Sequence, residues 1–171
     1  MKRILTIDLH NYDQITEEIR RTAVRGIIIQ NNRILLIKTI NNQVKFPGGG
    51  QEPNEDDIST LIREVKEETG YKIKLESIKP FGEVLEKRLA KYEPKIWHHT
   101  SHYYFCDIYG NPDKTDFTDS EKKYDMHPVW ITIDEAIELN RKMLNTEGNL
   151  PWNNREYLTL IELKNYLKDK K

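Results

Sequence analysis

The stretch that decides the fold runs from residue 49 to residue 71, GGQEPNEDDISTLIREVKEETGY. Ile58, Leu61, Ile62 and Val65 recur at i, i+3, i+4 and i+7 and predict a helix over about 55–69 with those four residues on its buried face. Asn54 is the expected N-cap, the acids that follow suit the positive end of the helix dipole, and Gly70 suits the left-handed residue past the end. At about 100° per residue, Glu64, Glu67 and Glu68 gather beside the apolar stripe, about a third of a turn away. Like charges at this spacing cost a helix about 0.2–0.5 kcal/mol per pair. Taken alone, Arg63 to Glu68 reads as a solvated face in which Arg63 and Lys66 balance the acids. The preceding loop changes that reading. Gly48, Gly49 and Gly50 permit backbone geometries closed to other residues and let a ligand approach the main chain. A divalent cation then becomes the compensating charge, and an all-oxygen ligand set suits Mg²⁺ or Mn²⁺.

Working outward, Lys2 to Leu9 reads as a strand and Asn11 to Arg21 as a polar loop or short helix. Ala23 to Gln30 and Arg33 to Thr39 are β-rich runs joined by Asn31-Asn32, a hairpin signal. Further strands are predicted at Ile73–Ile78, Gly82–Arg88, Trp97–Tyr109 and Pro128–Ile131. Thr132-Ile133-Asp134-Glu135 reads as a capping box opening a helix to about Asn145. A last amphipathic helix is predicted over Asn154–Leu167, with Tyr157, Leu160, Ile161, Leu163 and Leu167 on one side. Strands before and after a central helix point to an α/β protein with a sandwich of mixed sheet and helices.

A chain of 171 residues suits one domain over 1–171, and no internal repeat or long linker divides it. A net charge of −1 gives no bulk attraction to nucleic acid or to a membrane surface. The single cysteine, Cys106, rules out an internal disulfide and reads as a buried strand thiol in Tyr103-Tyr104-Phe105-Cys106. Apolar runs such as Ile27-Ile28-Ile29 and Ile34-Leu35-Leu36-Ile37 are too short to span a bilayer. Asp8 and His10 interrupt the segment after Met1-Lys2-Arg3 before it becomes a signal sequence. A cytoplasmic protein is the expectation. The apolar terminal segments leave room for a homodimer.

The spacing Gly49-x5-Glu55-x7-Arg63-Glu64-Val65-x-Glu67-Glu68-x-Gly70 resembles the signature of the Nudix hydrolase family at every fixed position. Tyr71 stands where the family carries a bulky aliphatic residue. Lys45-Phe46-Pro47 before the glycines resembles the family's lead-in, and Val129-Trp130 with Thr132–Leu139 resembles its late strand and helix. The family-like region covers about 22–144. The resemblance implies an α/β/α sandwich with a mixed sheet and a metal-dependent pyrophosphohydrolase. Such an enzyme acts on a small-molecule diphosphate, typically a nucleoside diphosphate derivative, which water attacks at phosphorus.

By that resemblance Glu67 and Glu68, then Glu64, are metal ligands, and the Gly48 carbonyl completes the shell. Arg63 pairs with Glu55, tethers the loop and orients a helix carboxylate. The general base is a helix glutamate in some members and comes from a later loop in others. Here Glu121, near the centre of the 116–125 loop, is the candidate, and an ordinary solvated charge is the alternative. Arg25 and Lys45 flank the expected site and are candidates for holding phosphate, or are plain strand-edge charges.

Other constellations carry less. On a strand, His98 and His102 share a face that His99 does not, and no acid or cysteine has zinc spacing with them. The segment Trp97–His102 is better placed to touch a substrate base or sugar. Glu83 and Glu86 read as hairpin charges rather than extra ligands, and Trp152 and Tyr157 as packing residues of the last helix. Two rivals share the fold. A nucleotide-binding sensor would carry a DNA-binding domain, and the 26 residues after Asn145 are too few for a winged helix. An isoprenoid diphosphate isomerase would want a cysteine in the site, which only Cys106 could supply.

Overall fold

A computed structural model describes residues 1–170. Its frame is a five-stranded mixed sheet in the order β1 (Arg3–Asp8), β8 (Lys79–Leu89), β9 (Ile96–Phe105), β2 (Glu18–Ile27) and β6 (Gly48–Gly50). The β1–β8 and β2–β9 pairs are parallel, and the other two are antiparallel. A second sheet sets β4 (Arg33–Lys38) between β11 (His127–Ile131) and β3 (Ile29–Gln30), with β5 (Val44–Lys45) on the end of β4. A short ladder joins β7 (Lys72–Ile73) to β10 (Ile108–Tyr109). The helices are α1 (Asp57–Thr69), α2 (Asp119–Lys123), α3 (Ile133–Met143) and α4 (Asn153–Lys168).

Strand alternation sorts the core into two layers. Leu35 joins Val24 and Ile28 against Leu61 and Val65 of α1. Ile34 and Leu36, facing the other way, join Ile27 and Val84 against Ala136 of α3 and Leu160 and Leu163 of α4. The result is an α/β/α sandwich with a mixed sheet. Ile4, Leu5 and Ile7 of β1 and Leu158 and Leu167 of α4 pack on this same core, so the chain covers its own apolar terminal segments. Among the described residues no helix is long and apolar enough to cross a membrane.

Several elements differ from the sequence expectation, for local reasons. Helix α1 begins at Asp57 because the Asp56 carboxylate accepts the Ser59 N–H at 2.7 Å; Asn54 instead takes a left-handed turn at φ 69°. Ile58 lies in that first turn and is 36% exposed, while Leu61 and Val65 are fully buried. Gly70, at φ 75°, closes the helix. Residues 18–21 are strand, because β9 pairs with β2 over its full length, from Glu18↔Ile96 to Ile27↔Phe105. Their polarity belongs to an edge-to-cleft face rather than a loop. The predicted strand at Ile73–Ile78 is cut short: β7 ends at Ile73 and Leu75–Ser77 form a 3₁₀ turn. The run from Trp97 to Tyr109 breaks after Phe105, where the Asp107 N–H donates to Ser77 Oγ at 2.8 Å. Asn31 and Asn32 both take positive φ, as a tight hairpin requires, and Thr132 and Glu135 form the capping box that opens α3.

The two faces of α1 separate in a stability measurement. Leu61→Ala is expected to cost about 2–5 kcal/mol in urea unfolding. Ile58→Ala should cost less than about 1 kcal/mol; equal losses would contradict the burial of the two side chains.

Candidate active site

One cleft of about 860 Å³ collects the charged residues of the sheet face, the glycine strand and the acidic edge of α1. Its floor is set by register. Glu86, His99 and Arg21 stand side by side on β8, β9 and β2, and Arg88 faces Trp97 in the next row. Gly48–Gly50 with Glu64, Glu67 and Glu68 make one wall, Thr118 and Glu121 at the start of α2 another, and Trp152, just before α4, with Arg155 of α4 the far wall.

Arg63 organises the acidic wall. Its Nε and Nη2 donate to the two Glu55 oxygens at 2.7 and 2.8 Å, its Nη1 to Glu64 at 2.7 Å and Glu67 at 3.3 Å, and its Nη2 also to the Gly50 carbonyl at 3.2 Å. The Arg63 bonds, with the Glu52 N–H, hold the Glu55 carboxyl down to about 2. Glu68 is buried. Its Oε1 accepts Lys45 Nζ at 2.5 Å and its Oε2 the Gly48 N–H at 2.7 Å. Burial raises its carboxyl above the usual range, against the pull of Lys45. Burial also raises Glu67, helped by the charges of Glu64 and Asp116 and opposed by Arg63. With Glu64 turned to Arg63 and Glu68 to Lys45, no group of three or more acidic, His or Cys side chains stands at metal-holding geometry among the described residues.

The glycines are demanded by close approach. Gly48 sits at φ 143°, and a Cβ there would lie 2.1 Å from the Val24 carbonyl oxygen. A Cβ on Gly49 would meet the Glu64 carboxylate at 2.5 Å, and one on Gly50 would meet Arg21 Nη2 at 2.7 Å.

Beneath the glycine strand lies a buried ionic network rooted in α4. The Glu156 carboxylate accepts the Phe46 N–H at 2.9 Å, Arg155 Nε at 3.1 Å and Arg155 Nη2 at 3.0 Å, and lies 3.6 Å from Arg25 Nε. Arg25 Nη1 donates to the Gly48 carbonyl at 3.2 Å, while its Nε has no hydrogen-bond partner. Arg155 Nη1 continues to Glu86 at 3.0 Å, and Glu86 accepts Arg88 Nε at 3.0 Å. Although burial opposes it, Arg25 and Arg155 hold the Glu156 carboxyl below its usual range. Burial, with the charges of Arg155, Arg25, Arg21 and Arg88, drives His99 down to about 2, so its imidazole is neutral.

The cleft brings together Glu64, Glu67, Glu68, Arg63, Gly48, Arg25, Lys45 and Glu121. Arg25 and Lys45, the sequence candidates for phosphate, are both engaged by internal partners. Glu121 is in a short helix, not a loop. Its Oε2 accepts the Thr118 N–H and Oγ–H at 2.8 Å each, and its Oε1 lies 4.0 Å from Lys45. Burial notwithstanding, the Thr118 bonds and Lys45 lower its carboxyl. Glu86 is a buried network member rather than a hairpin charge, and Trp152 lines the cleft. His98 pairs with Glu18 and His102 with Asp57, away from the cleft that His99 lines. Cys106 packs beside α1 in the core, its thiol pushed up to about 12 by burial, so the cleft holds no cysteine for an isomerase.

Sequence reasoning missed Arg21, Arg155 and Glu156, and it placed the 97–102 segment near the site without singling out His99. The alternation Arg21-x-Ala23-x-Arg25 carried a signal for the first, once residues 18–21 are known to be strand. Arg155 and Glu156 carried none, since on an amphipathic helix they look like solvated charges.

A comparison with protein families matches the NUDIX domain over residues 19–152. The chain belongs to the Nudix family. It is 47% identical over 60 residues to an ADP-ribose pyrophosphatase of Methanocaldococcus jannaschii, covering 33% of this chain and 36% of that protein. It is 37% identical over 69 residues to the nucleoside triphosphatase NudI of an Enterobacter species, covering 37% of this chain and 49% of that one. The matched segments thus span between a third and a half of these relatives. A Nudix hydrolase from Nitrosomonas europaea has the same fold, with a TM-score of 0.59 at 21% identity over 90% of this chain and 92% of that one.

Removing the Glu156 carboxylate leaves buried Arg25 without an ion-pair partner and buried Arg155 with Glu86 alone. Glu156→Ala is expected to cost about 3–5 kcal/mol in chemical denaturation. A cost below about 1 kcal/mol would show that the network does not bear on stability.

Proposed function

We propose that this chain is a divalent-cation-dependent hydrolase that splits the diphosphate linkage of a nucleoside diphosphate derivative or a nucleoside triphosphate, with water attacking phosphorus. The observation that carries the reading is the meeting, in one cleft, of the α1 carboxylates and Gly48 carbonyl with a sheet face rich in guanidinium groups. The names of two relatives, ADP-ribose pyrophosphatase and nucleoside triphosphatase, support it. The proposal extends to a cytoplasmic protein whose partner is a small molecule rather than nucleic acid or membrane.

The donors fit a hard cation. Glu64, Glu67, Glu68 and the Gly48 carbonyl offer oxygen alone, which suits Mg²⁺, with Mn²⁺ as a substitute. When bound, such a cation supplies positive charge at phosphate oxygens and makes water more acidic. Arg63 aligns Glu64 and ties α1 to the Gly50 carbonyl. Arg25 fixes the Gly48 carbonyl from below, and Lys45, which lines the cleft beside Glu68 and Glu121, is the proposed phosphate contact. Glu121 keeps one oxygen in its helix cap and turns the other toward Lys45. That second oxygen is the proposed acceptor of the water proton.

The test is turnover with Mg²⁺ on a panel led by ADP-ribose and followed by nucleoside triphosphates, nucleotide sugars, dinucleoside polyphosphates and coenzymes. Phosphate-bearing products from at least one substrate are expected, and tight binding without turnover of any would favour the sensor. Glu67→Gln should lower kcat by about a hundredfold or more with little change in melting temperature. Glu121→Gln preserves the cap, because Gln also serves a capping box, yet should lower kcat by about a hundredfold or more. Unchanged turnover would remove Glu121 from the reaction.

A further inference from the structure

Six basic side chains line the cleft: Arg21, Arg25, Lys45, Arg63, Arg88 and Arg155. Five have carboxylate or carbonyl partners. Arg25 holds Gly48, Lys45 holds Glu68, Arg63 holds Glu55, and Arg88 and Arg155 share Glu86. Arg21 alone has no hydrogen-bond or ion-pair partner among the described residues, and its side chain is exposed. Its guanidinium lies against Gly50, where a Cβ would come within 2.7 Å of Nη2 and 2.9 Å of Nε. The glycine strand therefore makes room for a cation that no protein group neutralises. The adjacent residue in the sheet row is His99, whose neutrality removes a competing charge, and Glu86 lies one strand further away.

Trp97 stands two residues along β9 from His99 and one strand over from Arg21, so the backbones of Arg21 and Trp97 lie about 8 Å apart on the diagonal. A ribose spans a gap of that kind between a phosphate and a base. The indole is fixed on two sides. The Arg88 guanidinium lies 5.7 Å from its centroid, and the His99 ring meets it edge-on at 5.7 Å and 86°. Trp152, at the entry to α4, also lines the cleft. The acidic wall offers acceptors, whereas this end offers an unpaired donor fork and an aromatic ring.

We propose that Arg21 and Trp97 form the subsite for the half of the substrate that the acidic wall does not hold, Arg21 taking a phosphate and Trp97 the nucleoside base joined to it. The inference rests on the hydrolase reading for its substrate class, but it is a statement about binding. Arg21 is the bidentate phosphate partner, because a guanidinium fork matches two phosphate oxygens. Trp97 sets specificity by favouring a planar ring over a bare phosphate.

Titration calorimetry on the full chain with Mg²⁺, using inorganic pyrophosphate and ADP as probes, tests this apart from turnover. Arg21→Ala should weaken both probes by about tenfold to a hundredfold, and Arg21→Lys should recover part of that loss. Trp97→Leu, which retains apolar bulk, should weaken ADP by about tenfold and leave pyrophosphate within about twofold. The proposal is overturned if Arg21→Ala binds both probes as the wild type does, if Trp97→Leu weakens both alike, or if the wild type binds neither. Binding that follows this pattern in a protein that turns over no substrate would sink the hydrolase reading and leave the subsite standing.

Discussion

The buried carboxylate of Glu68 joins the two halves of the site. One of its oxygens takes the Gly48 N–H and the other the Lys45 ammonium, so α1 is bonded to one strand of each sheet, β6 and β5. A carboxylate removed from water must be matched by donors or it destabilises the fold. That requirement fixes where the glycine strand runs relative to α1. Arg63 repeats the link one turn earlier by bridging Glu55, Glu64 and the Gly50 carbonyl. Between these two clamps Gly49 and Gly50 have no side chains because Glu64 and Arg21 occupy the space. The geometry of the acidic wall thus follows from satisfying buried charge as much as from any ligand.

Helix α4 extends the same logic to the floor. Glu156 accepts the Phe46 N–H while Arg25 donates to the Gly48 carbonyl, so both ends of the Phe46–Gly48 segment are anchored to one buried ion group. The chain Arg155–Glu86–Arg88 carries the network to the ring of Trp97. Arg155, Glu156 and Glu86, bonded to one another in a low-dielectric interior, hold their orientation firmly. The cleft is therefore supported from three layers, and its far end belongs to residues well beyond the acidic helix.

Much of this was legible in the sequence because it rests on periodicity and on residues with few alternatives. The stripe of Leu61 and Val65, the left-handed Gly70, the Thr132 capping box and the spacing from Gly49 to Gly70 each have a strong local cause. What the sequence hid depends on partners far away in the chain. The strand character of Glu18–Arg21 comes from pairing with β9, which no local pattern announces. Asp56 prevailed over Asn54 as cap by two residues, and Ile58 fell outside the buried face with it. Arg155 and Glu156 look like solvent charges until the sheet face opposite them is known, and Arg25 and Lys45 look free until Gly48 and Glu68 are seen to engage them.

In the proposed reaction this cleft directs water to the phosphorus of a diphosphate. Turnover in ¹⁸O-labelled water, followed by mass spectrometry of both products, distinguishes attack at phosphorus from attack elsewhere. One label is expected in the phosphate group of one product, formed only when a divalent cation is present. Products without label in any phosphate, or formed equally well in excess chelator, would rule the reaction out.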